Sequence, residues 1–103
     1  MSLEQMGELT GTQKRHLRAM GSLLDPVVQI GKAGVIATVV DSTKAVLAAR
    51  ELIKVRVLQN SPEEPKEAIA NLANAAGASL VQVIGRNGLL YKQNADKPKI
   101  ELP

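Results

Sequence analysis

Residues 52–58 read Leu-Ile-Lys-Val-Arg-Val-Leu, and no other segment limits the fold as much. In an extended chain Ile53, Val55 and Val57 point one way, and Leu52, Lys54, Arg56 and Leu58 point the other. Alternation of this kind marks a β-strand with one face toward a core and the other partly basic and solvated. Such a strand needs paired neighbours. The sequence on either side offers helical patterns interleaved with further short strands. Strands alternating with helices imply right-handed crossover connections and an α/β domain.

The flanking segments can be read in turn. Thr10 with Gln13 forms a capping-box pattern, and Leu17, Met20, Gly21 and Leu24 recur at helical spacing. A first helix is expected over about 11–24, closed by Pro26, with Lys14, Arg15 and Arg18 on its outer side. Val27–Ile30 is a short β-branched strand. Gly31-Lys32-Ala33-Gly34 is a turn. Ile36, Val39, Val40, Val46 and Leu47 suit a second helix from Val35 to about Ala49. Its β-branched content makes it intrinsically weak, so it must depend on packing. Ser61-Pro62-Glu63-Glu64 predicts the start of a third helix, with serine as cap and proline at the first position. Ile69, Leu72, Ala73 and Ala76 form its apolar stripe, and Gly77 ends it. Residues 79–84 alternate as a strand. Gly85-Arg86-Asn87-Gly88 offers a hairpin turn with an Asn-Gly pair, and Leu89–Lys92 is the return strand.

The expected fold is a single two-layer α/β sandwich in the order helix-strand-helix-strand-helix-strand-strand, with a four-stranded mixed sheet. Helices cover one face of the sheet. The other is open or partly covered by the first helix. Residues 1–8 are expected to be a flexible leader, 9–92 the domain, and 93–103 a loose tail. The 103 residues suit one domain, expected to be monomeric.

Several chemistries are excluded by what the chain lacks. It has no cysteine, which rules out disulfides, thiolate zinc sites and cysteine nucleophiles and fits a reducing compartment. No apolar run approaches the ~20 residues that span a bilayer, and the N-terminus lacks the pattern of a secretion signal. A cytoplasmic protein without membrane attachment is expected. His16 is the sole histidine, so no metal centre is expected. Glu51 and Asp41 have no evident nucleophile beside them, and Ser42 and Thr43 fall inside a predicted helix. With no acid–base pair or triad, an enzyme is not expected, nor a cofactor or small-molecule substrate.

Charge gives a positive indication. Over residues 9–92 Lys and Arg outnumber Asp and Glu by 11 to 6, and Glu63, Glu64 and Glu67 are confined to one predicted helical turn. The rest of this region is basic, which favours a polyanionic partner. The glycine turn connects a strand to a helix N-terminus. Glycines allow backbone N–H groups to approach a ligand closely, and the helix end favours a phosphate. Lys32 adds a mobile cation. The arrangement resembles the KH-domain loop, in which two glycines flanking two residues clamp nucleic-acid backbone. It is neither a Walker A loop nor a dinucleotide fingerprint. Tyr91 is the single aromatic residue, so the chain cannot read bases on a platform of stacked rings. RNA would be gripped by phosphate and shape, with modest sequence specificity. The expected contact residues are Gly31, Lys32, Ala33 and Gly34 in the turn, with Lys14, Arg15, Arg18, Lys54 and Arg86 supplying charge.

Four segments, in this order, resemble the CRM domain and, within it, the stand-alone bacterial YhbY-type proteins. They are Gln13 with Leu17-Arg18; Pro26 through Gly34; Glu51-Leu52-Ile53-Lys54-Val55; and Ile84-Gly85-Arg86 with Leu89-Leu90-Tyr91. The likeness covers about residues 9–92. It implies a fold similar to the C-terminal domain of translation initiation factor three. It also implies RNA binding through Gly31–Gly34 and association with ribosomal RNA in precursors of the large ribosomal subunit. Arg50 stands where the family often has histidine, and Lys92 where it often has arginine; both keep or add positive charge. A rival expectation is an adaptor that reaches ribosomal particles through a protein, using an apolar patch around Leu52 and Leu58 on the open sheet face.

Overall fold

The computed structural model of the chain describes residues 9–103, so the expected leader lies outside the described residues. The elements follow in the expected order: α1 (Gly11–Gly21), β1 (Pro26–Ile30), α2 (Ala37–Arg50), β2 (Leu52–Val57), α3 (Pro65–Ala76), β3 (Ser79–Ile84) and β4 (Asn87–Tyr91). The four strands form one mixed sheet in the order β1-β2-β4-β3. β1 and β2 are parallel, joined by the crossover through α2, while β4 runs antiparallel to both β2 and β3.

The alternation in β2 divides the molecule into two apolar layers. On one face Ile53, Val55 and Val57 join Val28, Ile30 and Leu90 from the sheet, Leu47 from α2, and Ile69, Leu72 and Ala76 from α3. This is the main core. On the other face Leu52, Val81, Leu89 and Tyr91 pack with Leu17 of α1, and Ile100 and Leu102 close over them. Leu52 is therefore buried, so the exposed patch that the adaptor reading needs does not include it. Burying a leucine-sized side chain stabilises a fold by about 1.5–3 kcal/mol, so this smaller layer holds α1 firmly.

The predicted boundaries shift where local signals compete. α1 ends at Gly21, three residues early: the Ser22 N–H donates back to Arg18, and Leu23 and Leu24 continue only as tight turns. α2 starts at Ala37, after Val35 and an extended Ile36. α3 starts at Pro65, with Glu64 as its N-cap, and not at Ser61-Pro62. The reason lies in Pro65, whose ring excludes the preceding residue from helical angles; Glu64 is extended at φ −61°, ψ 149°. Ser61 instead closes a turn, its Oγ accepting the Glu63 N–H at 3.3 Å.

The β3–β4 turn is Gly85-Arg86, and Asn87-Gly88 belongs to β4. Gly85 takes the positive φ of +57° at the first central position, as a two-residue hairpin loop of type II′ requires. Gly88 is needed elsewhere: a Cβ there would stand 2.6 Å from Ile69 in the core.

The tail is not loose. Ile100 and Leu102 pack on the second layer, and the tail backbone is anchored on Glu51. Glu51 is buried and has φ +66°, the one non-glycine residue with positive φ among those described. Its carboxylate accepts N–H bonds from Asn94 at 2.6 Å, Lys99 at 2.7 Å and Ile100 at 2.8 Å. Burial pushes this carboxyl up, but the three N–H donors and the Lys99 charge outweigh it and leave the carboxyl below its ordinary value. Burial, with the nearby Glu51 charge, raises the Tyr91 phenol above its ordinary value.

Candidate nucleic-acid interface

Three loops meet at one end of the sheet, beyond the C-terminal ends of the parallel strands β1 and β2. The first is Gly31–Gly34. The Gly34 N–H donates to the Gly31 carbonyl at 2.9 Å, which folds the four residues into a β-turn with Lys32 and Ala33 exposed at its tip. Gly34 is buried with φ +77°, and a Cβ there would stand 3.2 Å from Pro62. The left-handed backbone thus favours glycine at this position, and the approach to Pro62 is tight. Gly31 differs. A Cβ on it would make only ordinary contacts, with Leu58 at 3.6 Å and Asn60 at 3.9 Å. The fold does not demand glycine at 31.

The second loop follows β2. The Leu58 N–H donates to Ile30 at 2.9 Å, and Leu58 and Asn60 lie against Gly31. The third is the β3–β4 hairpin turn. The Arg86 carbonyl accepts the Val57 N–H at 2.8 Å, and one Arg86 guanidinium nitrogen donates to the Leu58 carbonyl at 3.3 Å. Arg86 is therefore held at the same end as the glycine turn, with donors of its fork to spare.

Just past the glycine turn, α2 begins without a side-chain cap and without an acidic residue in its first turn. Its first helical bond runs from the Val40 N–H to the Ile36 carbonyl. The amides of Ala37, Thr38 and Val39 thus precede the helical ladder, and the positive end of the helix dipole lies beside them. Anions are favoured at such an end.

The face of the sheet that carries α1 continues this surface. α1 and the tail cover the half nearest Leu52 and Tyr91. Toward the glycine turn two rows cross the strands, the first partly covered by α1 at Leu89 and the second open to solvent. One row is Pro26, Lys54, Leu89 and Gln82; the next is Gln29, Arg56, Asn87 and Ile84. Gln29, Arg56, Asn87 and Ile84 are all exposed. A shallow cleft of about 190 Å³ opens where the C-terminal end of α1 meets these rows, and both Arg18 and Lys54 line it.

The sequence-predicted residues therefore divide into groups. Gly31–Gly34 and Arg86 lie together at the sheet end, and Arg18 and Lys54 lie together in the cleft. Lys14 and Arg15 sit one turn further back on α1 and do not line the cleft. Arg56 was not among the expected contact residues, although its alternation with Lys54 was visible in the sequence. It lies between Gln29 and Asn87, in the row nearest the glycine turn. No group of three or more His, Cys, Asp or Glu side chains suited to a metal occurs among the described residues. None of their helices is long and apolar enough to cross a membrane.

Comparison with known proteins gives the family and the fold. A family model of the CRS1/YhbY (CRM) domain matches residues 9–92. The chain is 43% identical over 95 residues to the "Probable RNA-binding protein YqeI" of Bacillus subtilis, covering 92% of this chain and 99% of that protein. It is 34% identical over 99 residues to an "RNA-binding protein" of Haemophilus influenzae, covering 95% and 98%. The solution structure of the hypothetical protein SAV1595 from Staphylococcus aureus superposes with a TM-score of 0.78 at 43% identity, covering 93% of this chain and all of that one. With a domain match spanning the sheet and all three helices, this chain belongs to the CRS1/YhbY (CRM) domain family.

Proposed function

We propose that this chain is an RNA-binding protein that grips the sugar–phosphate backbone of structured RNA and carries out no reaction of its own. The observation that carries this reading is the clustering at one sheet end of Lys32, Arg86 and the uncapped start of α2, continuous with Arg56, Lys54 and Arg18 on the adjoining face. In this reading phosphates sit at the turn Gly31-Lys32-Ala33-Gly34 and on the α2 amides. Lys54, Arg56, Arg86 and Arg18 hold the next stretch of backbone, and Lys14 and Arg15 add charge at the margin. The names of the Bacillus and Haemophilus relatives support RNA as the partner. The family resemblance extends this to ribosomal RNA and assembly of the large ribosomal subunit; in this reading the protein acts in the cytoplasm and as a monomer.

Four to six phosphate contacts predict that log K falls with log salt at a slope of roughly −3 to −5. Filter-binding titrations on large-subunit ribosomal RNA measure this directly. Lys32→Ala should weaken binding to all sequences alike and reduce the slope by about one. A flat salt response contradicts backbone gripping. A change in sequence preference on replacing Lys32 contradicts its role at phosphate.

A further inference from the structure

Phosphate gripping does not use everything on the exposed part of the sheet. The cleft beside α1 is lined by Arg18 and Ser22 from the end of that helix and by Lys54, Gln82, Ile84 and Asn87 from three strands. No carboxylate lines it. Arg18, Lys54, Gln82 and Asn87 make no side-chain hydrogen bond or ion pair among the described residues. Two cations and two carboxamides thus face one concavity with their hydrogen-bonding capacity unspent. Leu89, Gly88 and Gly21 give the cleft an apolar floor, and Ile84, 64% exposed, gives it an apolar wall.

Size and chemistry together select the ligand. About 190 Å³ is smaller than the roughly 300–1,000 Å³ that engulfs a drug-sized molecule, so the cleft takes one flat group and leaves the rest outside. A carboxamide presents a donor and an acceptor side by side, which matches a base edge with an adjacent acceptor and donor. Adenine offers this pair at N7 and N6. Within structured RNA, a base becomes available in this way only when unstacked in a bulge or loop.

We infer, on the reading that the chain binds RNA, that this cleft receives one unstacked nucleotide, with its phosphate between Arg18 and Lys54 and its base edge on Gln82 and Asn87, adenine being preferred. The cleft therefore supplies sequence discrimination at a single position, which the glycine turn cannot. It lies between the end of α1 and the row of Arg56, Asn87 and Ile84, so a strand leaving the turn reaches it across that exposed row.

The test uses the full chain and a set of RNA hairpins identical except for one bulged nucleotide, which is A, U or C, or absent. Binding is followed by fluorescence anisotropy at low salt. The bulged-A hairpin should bind about fivefold or more tightly than the bulged-U hairpin, the low end of what one such contact discriminates. Gln82→Met should abolish that preference while changing affinity for the hairpin without a bulge less than twofold. A second measurement needs no variant: in a ¹⁵N spectrum of the wild type, the bulged-A hairpin should shift the side-chain NH₂ signals of Gln82 and Asn87. Equal binding of all bulges, or shifts confined to residues 31–34 and Arg86, would overturn the cleft assignment and leave backbone gripping intact. No binding to any hairpin would overturn both.

Discussion

Gly31 and Gly34 look equivalent in the sequence, yet the structure gives them different work. Gly34 has φ +77° and lies close to Pro62, so Gly34→Ala should cost about 1–2 kcal/mol of stability from the left-handed backbone alone. Gly31 has ordinary space for a methyl group, so Gly31→Ala should change stability by less than about 0.5 kcal/mol. If phosphate approaches the turn, the same methyl group stands in its way. RNA affinity should then fall about tenfold, the equivalent of one charge-assisted hydrogen bond. Urea midpoints and filter binding on the two variants separate these effects: Gly34→Ala moves the midpoint and Gly31→Ala moves the affinity. Gly31→Ala binding as the wild type does would remove the turn from the interface.

At the scale of elements, the tail and the start of α3 carry the lessons. Nothing in residues 93–103 announces an ordered segment, since the tail has neither helical nor strand periodicity. Its order comes from Glu51, over forty residues away, whose carboxylate takes three of its N–H groups. No local pattern reports a contact of that range: in the sequence Glu51 is an acid without a catalytic partner that opens the Glu51–Val55 segment. In the structure it is a fastener, and its bonds offset a positive φ that costs a non-glycine residue about 1–3 kcal/mol. Glu51→Gln would set an NH₂ group against at least one of the three donors. It should destabilise the chain by about 1.5–3 kcal/mol and expose the tail to limited proteolysis. Because the folded carboxyl lies below its ordinary value, its contribution is complete at neutral pH and is lost as the pH falls below 4.5. The wild-type urea midpoint should therefore drop more steeply than that of Glu51→Gln on acidification, and parallel curves would contradict the fastener role. The α3 start departs from the expected position for a different reason. Ser61-Pro62 and Glu64-Pro65 are both proline-led starts, and the second prevails because each proline bars its predecessor from the helix.

For the molecule as a whole, the alternation of β2 and the helix–strand order were enough to give the sheet, its helices and the basic character of one face. Convergence was not legible. Arg86 reaches the sheet end that carries the glycine turn only because β4 pairs with β2, and Arg18 shares a cleft with Lys54 only because Leu17 seats α1 on the sheet. These are long-range pairings that a linear pattern does not encode. The central claim is that RNA lies along the sheet end and the exposed part of the sheet. Photocrosslinking of RNA to the full chain in ribosome-gradient fractions, followed by mass spectrometry of the linked peptides, tests it most directly. The account predicts adducts in residues 29–34, 54–58 and 82–88. Adducts concentrated on the outward side of α3, around Lys66 and Glu67, would contradict it.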